Sequence, residues 1–215
     1  SSEIEIYLNN ENLLDNFIAR GSVSNLKIEI SKDLDLVKTK FNFFADKTDV
    51  ILKNISSETK IFKVTEGDLK LQLNKETLLE SNFNINVKYN NKYNNYLNII
   101  KDFKYIENLT NLEADLSNNL KINFDKTYKI IDYDYKSRGK VFKAIFDFKK
   151  PIENYFLENN IKKFSLINSN FENFINTDKQ NLKISGKYLL NKDKSLPFSL
   201  ENTSDKKSTK LKLVA

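Results

Sequence analysis

Two pairs of carboxylates stand at strand spacing, Asp33 with Asp35 and Asp132 with Asp134. In a strand, residues i and i+2 project from one face, the arrangement that Ca²⁺ binding or two-carboxylate acid–base chemistry would use. Isolated pairs on the wet face of a sheet are expected to be simply solvated, so neither is assigned a role. The densest basic cluster is Lys136-Ser137-Arg138-Gly139-Lys140. It could meet lipid phosphates at the edge of an apolar groove. The plainer expectation is a charged edge or turn that discourages sheet-to-sheet aggregation. The chain has no His and no Cys, which removes Ser-His-Asp and Cys-His catalysis, the usual zinc sites and disulfides. Its four Gly are isolated and form no phosphate-binding loop. With no recognisable nucleophile or base, an enzyme is not expected, and no catalytic residue, metal or cofactor is assigned.

The elements that would carry these groups are strands. Leu26, Ile28 and Ile30 alternate with polar residues, as do Leu69, Leu71 and Leu73, and then Phe83, Ile85, Val87 and Tyr89. The same rhythm returns in Leu120, Ile122 and Phe124, in Phe142, Ala144, Phe146 and Phe148, and in Leu182, Ile184, Gly186, Tyr188 and Leu190. Leu196, Phe198 and Leu200, then Leu211 and Leu213, close the series. Strict alternation over five to nine residues marks a strand with one dry and one wet face. Polar turns are expected at Ser31-Lys32-Asp33, Asp46-Lys47-Thr48, Asn74-Lys75-Glu76, Asn90-Asn91-Lys92, Ser117-Asn118-Asn119, Asp125-Lys126-Thr127 and Asn191-Lys192-Asp193. With so few Gly, Asn is expected to take the left-handed backbone positions. Helical spacing is confined to three places: Leu13, Leu14, Phe17 and Ile18, ended at Gly21; Tyr93 to Phe103; and Pro151 to Asn159, with Pro151 in the first turn. The expected fold is therefore mainly β: a long antiparallel meandering sheet, curved, with one hydrophobic face and two or three short helices. Residues 1–215 form a single β-rich segment, with sub-repeats at 1–92 and 104–215 joined by a helical segment at 93–103.

Composition narrows the partners. The net charge is +6, yet only two of the basic residues are Arg, while Lys, Asn, Ile, Phe and Tyr abound. These are residues that AT-rich codons favour, and nucleic-acid readers depend on Arg, so no nucleic-acid partner is expected. No run approaches 18 apolar residues, so no helical membrane span is expected. The chain starts Ser1-Ser2 and contains no Met, and is read as an internal piece of a longer protein.

A sheet with one dry face must cover it with a second sheet, close into a barrel, or shelter a ligand or helix, and periodicity alone does not choose. The segments Gly67–Leu73, Leu112–Leu116, Asn119–Asp125 and Asn181–Tyr188 resemble the AsmA-like envelope proteins of Gram-negative bacteria, related to TamB and YhdP, and the likeness in rhythm runs from about Val23 onward. The resemblance implies a periplasmic β-groove in a protein anchored in the inner membrane through parts outside this chain. Its groove would shield phospholipid or other acyl lipid between inner and outer membranes, with envelope proteins as further partners. Groove candidates are Leu69, Leu71, Phe83, Ile85, Val87, Leu120, Ile122, Phe142 and Phe146. The alternative is a β-sandwich, a binding or structural module of a bacterial surface or adhesion protein, in which these same side chains pack in a sealed core. An outer-membrane barrel is disfavoured because the chain lacks aromatic girdles and long loops.

Overall fold

The computed structural model describes residues 1–32, 34–74, 76–93, 106–153, 160–191 and 194–215. The strands are β1 (Ser2–Leu8), β2 (Leu14–Ser31), β3 (Leu34–Asp46), β4 (Asp49–Glu58), β5 (Phe62–Leu73) and β6 (Thr77–Asn90). They continue as β7 (Leu109–Phe124), β8 (Ile130–Ile152), β9 (Ile161–Asn176), β10 (Lys179–Leu190), β11 (Leu196–Asp205) and β12 (Thr209–Val214). All twelve lie in one antiparallel meandering sheet in sequence order, each strand beside its chain neighbours, and the sheet does not close. Among the described residues, helix is limited to 3-10 turns at 91–93 and Ile106–Asn108.

Four expectations are corrected. The helix expected over Leu13–Ile18 is extended chain, because Phe17 and Ala19 stand opposite Ile6 and Ile4 of β1. Gly21, expected to end that helix, lies inside β2, where a Cβ would run into the backbone of Ser1 and Ser2 and the ring of Phe43. Pro151 and Ile152 finish β8 instead of opening a helix; residues 154–159, like most of 93–103, lie outside the described residues. Ser117-Asn118-Asn119 is no turn but part of β7: buried Asn118 donates to the Phe83 carbonyl (3.3 Å) and accepts from the Tyr135 hydroxyl (2.8 Å). Lys136–Lys140 lies neither at an edge nor in a turn but within β8, where alternation puts Lys136, Arg138 and Lys140 on one face and buries Ser137. Strands are also longer than the five to nine residues of clean alternation, reaching 23 in β8.

The length is possible because bulges interrupt the ladder without ending it. Asn25, Lys38 and Asn54 have φ of 57°, 54° and 56° inside β2, β3 and β4. The register slips beside them, between Val23 and Leu26, between Val37 and Lys40, and between Lys40 and Asn42. Each bulge adds one unpaired residue, bends its strand and resets which side chains face which way. Asn168 (φ 48°) does the same in β9, across from the slip between Ser185 and Lys187 of β10.

The chain forms two compact units. The first comprises Ser1–Thr59, Lys63–Ile85 and Ser117–Lys136; the second comprises Lys60–Phe62, Asn86–Leu116 and Ser137–Ala215. In the first, the residues buried near the bulges include small and β-branched ones: Thr39 and Ser57 share a 2.7 Å hydrogen bond, and Val64 stands opposite Ser57. In the second, Tyr89, Leu109 and Ala144 form a buried cluster flanked by Val87, Leu112, Val141, Phe146 and Leu166.

Candidate functional site

Opposed residues of an antiparallel pair share a face, so the registers show what each face carries. In the first unit one row runs Ile4–Ala19–Ala45–Val50–Leu71, and the next runs Ser2–Gly21–Phe43–Leu52–Leu69. The opposite face carries Glu3–Arg20–Phe44–Ile51–Lys70 and Ser22–Asn42–Lys53. There Arg20 bridges Glu3 at 2.9 Å and Glu5 at 3.2 Å, Lys53 meets Asp68 at 2.8 Å, and Lys70 meets Asp49 at 3.4 Å. The Arg20 guanidinium, by hydrogen bond and charge, holds the Glu3 carboxyl below its usual range. Such exposed pairs add little stability, and their consequence is to keep that face wet.

The second unit repeats the division. One face carries Phe171–Ile184–Leu200–Leu213 and Leu166–Tyr188–Leu196; the other carries Glu172–Lys183–Glu201–Lys212, with Lys183 and Glu201 3.1 Å apart. Aromatic rings step along the apolar side from Phe146 to Phe164 (6.0 Å between centroids), to Tyr188 (6.3 Å) and to Phe198 (6.0 Å). Diagonal cross-strand contacts of this kind stabilise neighbouring strands and leave a continuous apolar strip. The row Asn173–Leu182–Asn202–Leu211 brings two amide side chains onto the strip and marks its polar limit.

The decisive quantity is exposure. No apolar side chain in the two first-unit rows is buried, and Ile4 is 66% exposed. In the second unit Leu196, Leu211 and Leu213 remain 49%, 63% and 59% exposed, while Tyr188, Phe198 and Leu200 are half-buried. A sealed core would bury these residue types almost completely.

The sequence candidates distribute unevenly over these strips. Leu69 and Leu71 are brought together with Leu52 and Val50. The Phe83 ring lies over Gly67, two residues before Leu69 on β5. Val87 and Phe146 pack against the buried Tyr89 cluster, and Phe146 also begins the aromatic series. Ile85, Leu120 and Ile122 are half-buried on β6 and β7. Phe142 is 39% exposed, with the Lys140 ammonium 5.6 Å from its ring centre. Strip residues on β1, β3, β4 and β9 were missed, among them Ile4, Phe43, Val50 and Phe164. Ile4-Glu5-Ile6 carries the alternation that would have disclosed β1. Phe41, Phe43 and Ala45 carry it in β3 with Phe44 obscuring the rhythm.

Polar recesses are shallow by comparison. One of about 570 Å³ in the first unit is lined by Ser22, Lys40, Asn42, Asn54, Ser56, Lys63 and Glu66 among others, and opens beside the bulges. Its charges are mixed and none of these side chains is buried, so it offers no preorganised chemistry. Of the carboxylate pairs, Asp35 is held by Lys27 at 2.9 Å, and Asp33 lies outside the described residues. Asp132 accepts from the Tyr133 backbone N–H at 2.8 Å, and Asp134 borders a second polar recess with Lys121 and Lys136. Among the described residues, no three Asp or Glu side chains gather into a metal-binding group. Comparison with protein-family models, with curated proteins and with solved structures finds no match.

Proposed function

We propose that the apolar strips shield the acyl chains of phospholipid, or of another acyl lipid, in the periplasm of a Gram-negative bacterium, between inner and outer membranes. The exposure of the strips carries this reading: aligned Leu, Ile, Val and Phe side chains in both units are left without a covering layer. Burying a methylene gains about 0.8 kcal/mol, so a 16-carbon chain bare in water costs roughly 13 kcal/mol. Shielding of that size needs apolar area and no specific contact, which accords with strips that carry few polar groups. The resemblance to AsmA-like proteins supplies the envelope setting, inner-membrane anchoring through other parts of a longer protein, and envelope proteins as neighbours. In the first unit Phe83, Ile85, Leu120 and Ile122 would extend the lipid contact begun by Leu69 and Leu71, and in the second Val87, Phe142 and Phe146 would make lipid contact of their own.

Native mass spectrometry of the detergent-free protein tests this. Phospholipid is expected to co-purify, and Leu71→Asp or Ile122→Asp is expected to lower its retention while circular dichroism stays unchanged. Protein that emerges lipid-free, or that unfolds when either residue is changed, would remove the basis for lipid shielding.

A further inference from the structure

The hairpin between β7 and β8 ends in a turn that is held by polar bonds of its own. The Asp125 carboxylate accepts from the backbone N–H groups of Thr127 (2.8 Å) and Lys129 (3.0 Å) and from the Thr127 hydroxyl (2.7 Å). The Asp125 N–H donates to the Lys129 carbonyl, and the Asp125 carbonyl accepts from the Tyr128 N–H. None of these bonds uses the Tyr128 side chain. Tyr128 nevertheless occupies the left-handed position, φ 60°, where Cβ is crowded and Gly or Asn fits best. Of the seven described residues with left-handed φ, five are Asn and Tyr128 alone is aromatic. It is 69% exposed, so packing does not explain it either. Ile130 and Ile131 follow, 51% and 52% exposed. As neighbours in a strand they project from opposite faces, so the division into dry and wet faces lapses at this tip. Lys126 and Lys129, both exposed, flank Tyr128 in sequence. The turns at Asp46 and Asp205 use the same carboxylate device and carry Lys47-Thr48 and Lys206-Lys207-Ser208 in place of apolar residues. The turn itself therefore does not require the apolar tip.

We propose that the β7–β8 tip is a membrane-contact site that enters the interfacial layer of a bilayer containing anionic phospholipid. The Tyr128 phenol places an apolar ring with a polar end at headgroup level, where Tyr and Trp side chains concentrate. Ile130 and Ile131 reach the acyl boundary on the two faces of the hairpin, and the Lys126 and Lys129 ammonium groups meet phosphates. Apolar side chains on both faces single out this occupant. A layer packed on the sheet would cover one isoleucine and leave the other bare, whereas lipid surrounds a protruding tip. Three side chains at a tip also fall far short of the roughly 800 Å² per partner that a stable protein interface buries. A bilayer asks for no complementary shape. The adjoining carboxylates in sequence, Asp125 and Asp132, each accept from backbone N–H groups. The site is distinct from the apolar strips, so it goes beyond acyl-chain shielding and stands without it.

Flotation of the 215-residue chain with phosphatidylcholine vesicles, with and without phosphatidylglycerol, tests this. Binding is expected to both, and tighter where phosphatidylglycerol is present. Tyr128→Asn is expected to weaken it about tenfold while the urea midpoint stays unchanged or rises, because Asn suits the left-handed position. Ile130→Ser with Ile131→Ser is expected to weaken it about tenfold or more. Lys126→Gln with Lys129→Gln should lower binding to phosphatidylglycerol vesicles by about fivefold per lysine and leave binding to phosphatidylcholine alone unchanged. The chain has no Trp, so Tyr128→Trp supplies a single reporter. Its emission should shift to the blue on binding and be quenched by acyl-brominated phosphatidylcholine. No binding to either vesicle, binding indifferent to the Tyr128 and Ile130/Ile131 changes, or a Tyr128→Trp emission that vesicles leave unchanged would each overturn the proposal. A lowered urea midpoint for Tyr128→Asn would do so as well, since it would place the ring among the contacts that hold the fold. Lipid retention by the strips is read separately with Leu71→Asp, so either property can fail while the other stands.

Discussion

Asn54 sits in the middle of β4 with φ at 56°, a conformation most side chains avoid because Cβ crowds the following carbonyl. Its backbone N–H donates to the Asp68 carboxylate at 3.1 Å, a bond that does not depend on the Asn54 side chain. Replacing it therefore isolates the backbone cost. Asn54→Ala is expected to destabilise by about 1 kcal/mol, whereas Asn54→Gly should be close to neutral. Urea titrations would show the difference as a shifted midpoint at constant slope; equal effects of Ala and Gly would mean the side chain, not φ, matters. The choice of Asn for such positions is legible in a chain with 31 Asn and four Gly, and no described Gly has positive φ. Their location is only partly legible. Asn191 lies at an expected turn and Asn12 at one that was not expected, while Asn25, Asn54 and Asn168 lie inside strands. The available signal is a phase jump: Val23 and Leu26 share a face although their spacing is odd, because Asn25 between them bulges.

Among the connections, one device recurs. Asp46, Asp125 and Asp205 each turn a carboxylate back onto the N–H groups that follow. Backbone bonds from Thr48 and Asp49 lower the pKa of Asp46, and those from Lys207 and Ser208 lower that of Asp205. For Asp125 the Thr127 hydroxyl contributes most, followed by backbone bonds from Lys129 and Thr127. A carboxyl whose folded pKa lies below its unfolded value contributes stability above the unfolded pKa and loses it as pH falls through the folded one. The acid limb of the stability curve should therefore fall below about pH 4, near the unfolded value for Asp. In the next turn type the same role is taken by Asn176, whose amide oxygen accepts from Asp178 and Lys179. The triple change Asp46→Asn, Asp125→Asn and Asp205→Asn should thus keep the turns and flatten the acid limb. Unchanged acid dependence in thermal melts would assign that limb to other carboxylates. The turns at Asp46 and Asp125 were legible because Asp-Lys-Thr interrupts alternation on both sides, whereas the turn at Asp205, followed by Lys206 and Lys207, was not among those expected. The element misjudged was β2, since Leu13, Leu14, Phe17 and Ile18 fit a helical face in isolation. Pairing with β1, six to thirteen residues back along the chain, decides the matter, and the short helical pattern does not contain it.

At the scale of the molecule, exposure is again the controlling quantity. Alternating strands announce a dry face, but periodicity carries no information on whether a second layer covers it. That uncertainty separated groove from sandwich in the sequence; the structure has one sheet in strand order, with strips that are half-exposed within each unit. The consequence is thermodynamic. The heat capacity of unfolding follows the apolar area newly exposed, and part of that area is already exposed here. At the usual 12–15 cal/mol/K per residue, a chain of 215 residues would show about 2.6–3.2 kcal/mol/K. Calorimetry of the lipid-free protein should return a clearly smaller value. The native state should also bind a hydrophobic dye such as ANS while keeping the near-ultraviolet dichroism of its Tyr residues, which a molten globule loses. Lysophospholipid should displace the dye and raise Tm with its concentration, as any ligand of the folded state must. A full-sized heat capacity with no dye binding would mean that the strips are covered in solution.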